Sequence, residues 1–474
     1  MINFYNFIHA RLIKQDAEEL IIPPYRQKTV TSKILLQNIS AYRYLLQPHV
    51  QPGDSVLLAI PISALSVSAL LAIQSIGAIP VLPPVKSDIP LLLQLIRSQK
   101  IKAVLIDEYS NTIVETAVKS AGINCLYLMS GETSKETLWE PVLVPPDQDA
   151  LVSFSSGTTG NPKRIHRSHR ILSAQHLLIK KKFPPIFKQR DLPIFPNVIL
   201  HNLAAGITTI LPAIPDFRMD QLKPENIVAQ LQAQRIDTLM GNVFYFKTIT
   251  AYLNANPQSF PAVKQIGIGG SPVPENLIPE FRIYFPEAAY YIIYGSSEAE
   301  PIAIRKVNVM FENPKNGYYV GKPVEELEIR IDALTAIHTI DGTVHSGEIE
   351  VRGAHVATSQ QDGWHKTGDI GYLSAEKGLY LTARAGNEKA HQGIQHYQIE
   401  HLLLHHQDII HAAAIAAAEG FDIFIQGSIT SEEAWQILTD NFAPDLIKSI
   451  QFKTQIPLDH RHQSKILYHQ FHEI

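Results

Sequence analysis

Cysteine is almost missing from this chain: Cys125 is the single one among 474 residues, which excludes an internal disulfide framework and suits a reducing compartment. A surplus of either charge is missing too. The 41 Lys and Arg stand against 45 Asp and Glu, a formal net charge of −4, so bulk electrostatics give no reason to expect nucleic acid or an anionic membrane as partner. The N-terminus, MINFYNFIHARLIKQDAEEL, lacks a basic start followed by a long apolar stretch, which argues against a signal peptide. An unbroken membrane span is lacking as well. Residues 55–85 carry no charge, but Pro61, Gly77, Pro80, Pro83 and Pro84 divide them into a buried strand (VLLAI), a buried helix (ISALSVSALLAIQSIG) and a second strand (AIPVL). A cytoplasmic protein without a transmembrane segment is expected.

What is present is an ordinary globular composition, 45% hydrophobic and 18% charged, in a chain long enough for several domains. Through the first 300 residues, strands and helices alternate. KAVLIDEY and NCLYLM read as buried strands around the helix NTIVETAVKSAG, and ENIVAQLQAQRIDTLMG and LIPEFRIYFPEAAYYIIYG repeat the helix-then-strand rhythm of parallel sheets covered by helices. From about Gly321 the texture becomes alternating strands with glycine turns (GKPVEELEIRIDA, GEIEVRG, GLYLTAR). After Arg384, QIEHLLLHH, AAAIAAA, SEEAWQILTDNF and SIQFK predict a small α+β unit.

The stretch SFSSGTTGNPK, residues 153–163, packs small hydroxylated residues beside glycine, a composition that brings backbone N–H groups up to an anion such as a phosphate chain. It is not GxxxxGK[ST], because Lys163 follows Asn161-Pro162 and no Ser or Thr comes after it. Four more segments follow in order: GIGGSPVP (267–274), YYIIYGSSEAEP (290–301), HKTGDIGYL (365–373) and IPLDHRHQSKILYHQ (456–470). Together the five resemble the adenylate-forming superfamily of acyl- and aryl-CoA ligases, peptide-synthetase adenylation domains and luciferases, across most of the chain. SSGTTGNPK is the most specific of them.

The resemblance implies an α/β fold. A large N-terminal domain (1–384) would hold two stacked parallel-rich αβα sheets and a distorted β-barrel, and a small mobile α+β domain (385–474) would carry a catalytic lysine. It implies an AMP-forming acid–thiol ligase that uses ATP and Mg²⁺ to turn a carboxylic acid into an acyl-adenylate with release of pyrophosphate. Ser155, Ser156, Gly157, Thr158, Thr159 and Gly160 would hold the β- and γ-phosphates with Lys163 as a point charge. Gly269, Gly270, Ser271 and Tyr294 would sandwich the adenine, with Gly295 and Ser297 beside them and Glu298 on Mg²⁺. Asp369 would receive the ribose hydroxyls, supported by Arg384. Lys465 and His201 are the catalytic candidates, Lys465 bridging carboxylate and α-phosphate.

The segment PNVILHNLAAG resembles the lining of the acid site. Between Asp191 and Asp216 there is no acidic residue to pair an ammonium, which disfavours amino acids. The pair His201-Asn202 resembles that of enzymes activating hydroxylated aromatic acids; Asn242 and Phe244 complete the expected pocket, with Tyr245 and Phe246 as further aromatic candidates. An aryl acid is the first expectation and a fatty or other acyl acid the alternative. The hinge segment TARAGNEKAHQGIQHYQIEHLL departs from the family. Ala383 stands for Gly, Gly386 (the expected pivot) and Asn387 for acids, and Ala390 for Lys, while Gly393 and Glu400 remain. That leaves CoA and the phosphopantetheine of an acyl or aryl carrier protein both open as thiol acceptor, and a non-catalytic nucleotide- or acyl-binding relative as the rival reading. The histidine pairs His166/His169 and His401/His405 have no accompanying Cys or carboxylate cluster, so zinc is not expected.

Overall fold

The computed structural model describes residues 1–473 except 15–17, 25–27, 85–86, 108–111, 129–138, 156–162, 308–311, 359 and 460–462. They form two compact units. One comprises residues 1–217 with 234–237 and 354–359, the other residues 218–233, 238–353 and 360–474.

In the first unit a six-stranded sheet runs, edge to edge, through Asn124–Tyr127, Ile101–Ile106, Ser55–Leu58, Ile79–Val81, Asp149–Ser155 and Lys163–Ser168. All neighbours are parallel except the last pair, an antiparallel hairpin that sets Ser155 opposite Lys163. The apolar run after Ser55 resolves as its prolines predict, into Ser55–Leu58, the helix Ala64–Ser75 and Ile79–Val81. Ser63 and Ser66 close a capping box at the helix start, and Ser66 through Ser75 are buried all round, as a helix with no polar face requires. Among the described residues no helix is long and apolar enough to cross a membrane. A second set of strands, ordered Val30–Thr31, Glu19–Ile22, Thr208–Ile210, Arg190–Pro193, carries the helix Asn197–Ala205 immediately before Thr208.

The second unit begins with Thr238–Gly241, Gln265–Gly269 and Ala289–Tyr294, mutually parallel, closed by antiparallel Ala303–Lys306. Next comes an all-antiparallel five-stranded sheet ordered Tyr318–Gly321, Leu379–Arg384, His365–Leu373, Gly342–Gly353, Leu327–Thr339. The chain then forms Ile409–Ala416, Phe421–Gly427 and Ile447–Phe452 with the helices His396–Leu403 and Ser431–Thr439, around a core that includes Leu403, Phe421, Ile423, Ile425 and Leu438. The helix His396–Leu403 is also fastened by polar contacts to the preceding sheet: Gln398 Nε2 donates to His338 O (2.7 Å), and His401 Nδ1 lies 3.1 Å from Gly317 O.

Candidate active site

The second unit gathers residues from five separated stretches of sequence. Gln265–Gly269 and Ala289–Tyr294 are parallel neighbours with Gly269 opposite Ile293, so Gly270, Ser271 and Tyr294 all emerge at strand carboxyl ends, where open α/β sheets bind ligands. Gly270 has φ +82°, a left-handed conformation that glycine adopts without a Cβ penalty. Tyr294 is itself buried, and its hydroxyl donates to Asp369 Oδ2 at 2.9 Å. Burial first, then the Asp369 charge, pushes its pKa well above the ordinary tyrosine value.

Asp369 and Arg384 are cross-strand partners, and Arg384 Nη1 contacts Asp369 Oδ1 while also donating to Thr367 O at 3.3 Å. The carboxylate is the first cause of a raised Arg384 pKa. Each Asp369 oxygen thus holds one protein donor and keeps a lone pair for another. After Tyr294 the chain turns through Gly295. Ser296 Oγ accepts from the N–H groups of Glu298 (3.3 Å) and Ala299 (3.2 Å), leaving Ser297 exposed and Glu298 half-buried.

Lys465 is an electrostatic neighbour of this same group. Asp459 Oδ1 accepts from the backbone N–H of Ser464 (3.1 Å) and Lys465 (2.8 Å), and Asp459 N–H donates to Lys465 O at 2.9 Å. The lysine is exposed to solvent yet hemmed in by protein. Desolvation, the first cause, and the Arg384 guanidinium lower its pKa, while Asp369, Asp459 and Glu298 act in the opposite sense. Positions 298, 369, 384 and 465 are therefore electrostatic neighbours.

Other expected residues have different surroundings. Asn242 is fully buried as the N-cap of the helix Val243–Ala255, its Oδ1 accepting from Tyr245 N–H (2.8 Å) and its Nδ2 lying 3.5 Å from Ser464 Oγ. Phe244 is half-buried, whereas Tyr245 and Phe246 point into the core, where Phe246 packs on Phe281 at 5.5 Å. These two are core residues. Gly386 has φ +92° with open space around it.

In the first unit, Ser156, Gly157, Thr158, Thr159 and Gly160 lie outside the described residues, and Lys163 is exposed at the start of its strand. His201 and Asn202 are successive on the helix Asn197–Ala205, so their side chains diverge by roughly 100°. Asn202 is buried and its amide donates to buried Asp191 at 2.8 Å. His201 is half-buried, and its Nδ1 lies 3.0 Å from Nδ1 of His176, a partner sequence reasoning did not single out. Burial, joined by nearby Lys180, lowers the pKa of His176 to about 4. Burial followed by His176 and Lys180 lowers that of His201 to about 3. Both rings are neutral at pH 7, so one Nδ1 donates and the other accepts.

Known proteins are similar to this chain in sequence and in fold. A 4-coumarate–CoA ligase-like protein of Oryza sativa subsp. japonica is 26% identical over 454 residues, covering 86% of this chain and 78% of its own. The amide bond synthetase McbA of Marinactinospora thermotolerans superposes with a TM-score of 0.82 at 17% identity, covering 99% of both chains. The O-succinylbenzoate CoA synthetase MenE of Bacillus subtilis, solved with ATP and a magnesium ion, superposes with a TM-score of 0.76 at 21% identity over 98% of both. The model of the AMP-binding enzyme family matches residues 14–359, well over half of the chain, and with the fold and the conjunction of Tyr294, Asp369, Arg384 and Lys465 this makes the protein a member of that family.

Proposed function

We propose that this AMP-forming ligase activates a small carboxylic acid with ATP, an aryl acid in the first instance, and passes the acyl group to a thiol of CoA or of a carrier-protein phosphopantetheine. A carboxylate oxygen forms a bond to the α-phosphorus as the bond to pyrophosphate breaks. No proton has to move, and the obstacle is repulsion between two anions. The observation that carries the reading is the convergence of Lys465 with Asp369, Arg384 and Glu298. In the proposed roles, Lys465 offsets that repulsion, Asp369 receives the ribose hydroxyls, and Tyr294 with Gly269–Ser271 flanks the adenine. Glu298, a half-buried carboxylate beside this cationic pair, fits a hard Mg²⁺ that takes one or two carboxylates with waters and phosphate oxygens; when bound, the ion neutralises phosphate charge. The loop 155–160 with Lys163 is proposed to hold the terminal phosphates, and residues 385–474 to act as a lid pivoting at Gly386.

The relatives named as CoA ligases support a thiol acceptor, and the MenE complex with ATP and magnesium supports those ligands. One observation favours the second acid class. Asn202, expected to meet a ring hydroxyl, instead donates its amide to Asp191, which weakens the case for a hydroxylated ring and suits a fatty or other acyl acid.

ATP–pyrophosphate exchange across aryl, fatty and amino acids tests the proposal. Aryl or fatty acids should support exchange and amino acids should not. Lys465→Ala should lower exchange by about 10²–10³-fold while ATP still binds. Silence across the panel would favour a non-catalytic binding protein; where an acid does support exchange, CoA against a phosphopantetheinylated carrier identifies the acceptor.

A further inference from the structure

The buried polar groups around the helix His396–Leu403 form a chain that runs from the Arg384 backbone to Tyr468, on the tail that bears Lys465. Arg384 N–H donates to His396 Nε2 at 2.9 Å. An imidazolium has no acceptor to offer there, so His396 is the neutral ring with its proton on Nδ1, and that nitrogen donates to Glu400 Oε1 at 2.9 Å. Glu400 also receives the Ala414 N–H at 2.9 Å and the Tyr468 hydroxyl, 2.9 and 3.1 Å from its two oxygens. Tyr468 packs edge-on against His396 with ring centres 4.8 Å apart, and Tyr397 covers the ring at 4.3 Å. Tyr468 lies three residues beyond Lys465 on a segment fixed by the Leu458–Ile466 bridge and by Leu467 N–H donating to Pro457 O at 3.0 Å.

His396 is wholly buried and Glu400 nearly so. A buried carboxylate with its donors seldom outdoes apolar packing in stability, so what such a set supplies is a defined geometry. Here its two ends are the Arg384 backbone, whose guanidinium holds Asp369, and the tail that bears Lys465. We propose that His396, Glu400 and Tyr468 are positioning residues that lock the Lys465 segment to Arg384, holding both cations over the same reacting anions. The proposal rests on the reading of Lys465 and Asp369 given above. None of the three touches the reacting atoms.

The test uses the full chain and the variants Tyr468→Phe, Glu400→Gln and His396→Leu, each checked for a native melting transition. Tyr468→Phe removes one oxygen and is the variant least able to perturb folding. Trace acylation of Lys465 by acetic anhydride across pH, read by mass spectrometry and normalised to exposed Lys102, reports the setting of the amine without any turnover. Freed from Arg384 and its enclosure, Lys465 should titrate higher, with the reactivity midpoint moving up by about half a pH unit or more. Exchange assays should show kcat falling about tenfold with the KM for ATP held within about twofold, which a general loss of folded protein would not produce. Folded variants whose Lys465 profile and kcat match the wild type overturn the positioning role. Lys465→Ala retaining exchange, or wild type showing none with any acid, would instead remove the catalytic reading, and the labelling profile still decides whether the network sets the lysine.

Discussion

The Tyr294 hydroxyl donates to Asp369 across 2.9 Å, joining the end of a parallel strand to the middle of an antiparallel one. Asp369 is thereby oriented by two partners, Tyr294 on Oδ2 and Arg384 on Oδ1. Replacing Asp369 by Ala removes the acceptor and leaves Arg384, two-thirds buried, without its main counter-charge. ATP affinity measured by calorimetry should fall about tenfold or more, the scale of losing a charge-assisted pair, and Tyr294→Phe should cost less, about 1 kcal/mol.

His176 and His201 make stability fall in mild acid. Both have pKa values below the ordinary 6.5, at about 4 and about 3, so below pH 6.5 the unfolded chain binds protons that the folded chain refuses. Their contribution is fully present above pH 6.5 and is lost as pH drops toward about 4 for His176 and about 3 for His201. Other buried histidines share that trend, so the difference between proteins is what counts. The fall in unfolding free energy between pH 7 and 5 should be smaller by about 2 kcal/mol in His176→Leu than in wild type. Denaturant titrations at the two pH values measure it, and equal slopes would mean that the pair is solvated.

Asn202 should matter for stability and not for choice of acid. Asn202→Ala leaves Asp191 without this donor in the core and should cost about 1–3 kcal/mol of unfolding free energy. The kcat/KM values for hydroxylated and unsubstituted aryl acids should change by a common factor. A selective loss for the hydroxylated acid would restore Asn202 to the pocket.

Gly386 sits at φ +92°, where a Cβ meets no neighbour but the backbone conformation disfavours any L side chain. Gly386→Ala should therefore destabilise by about 1–2 kcal/mol through local strain alone. If this residue is the pivot, single-turnover transfer to the thiol should slow more than pyrophosphate exchange does. Equal effects on the two half-reactions would place the pivot elsewhere.

Much of the fold was legible because hydrophobic periodicity and proline breaks are local signals. Residues 55–81 and the helices Thr112–Ala121 and Ser431–Thr439 follow the pattern read from periodicity and breaks. Several strands were not read from the sequence, and two of them are instructive. Lys163–Ser168 reads as a basic loop, since four of its six residues are Lys, Arg or His, and it becomes a strand only by pairing with Asp149–Ser155. Phe421–Gly427 lay hidden after the alanine-rich strand, although its alternation and the turn at Gly420 were signals for a hairpin. In the site, the histidine–glutamate spacing of 396 and 400 was visible as an i, i+4 pair, but nothing local tied it to Tyr468.

The order of the five motifs, the proline and glycine breaks in the uncharged run and the carboxylate-free acid segment were fixed by composition and spacing, because each depends on neighbours along the chain. Which groups face one another was decided only in three dimensions. Asn202 donates to Asp191, His201 meets His176, and Lys465 is an electrostatic neighbour of Arg384. Direction and partnership of a side chain depend on packing between distant segments, and a helix turns adjacent residues to different environments however they are spelled.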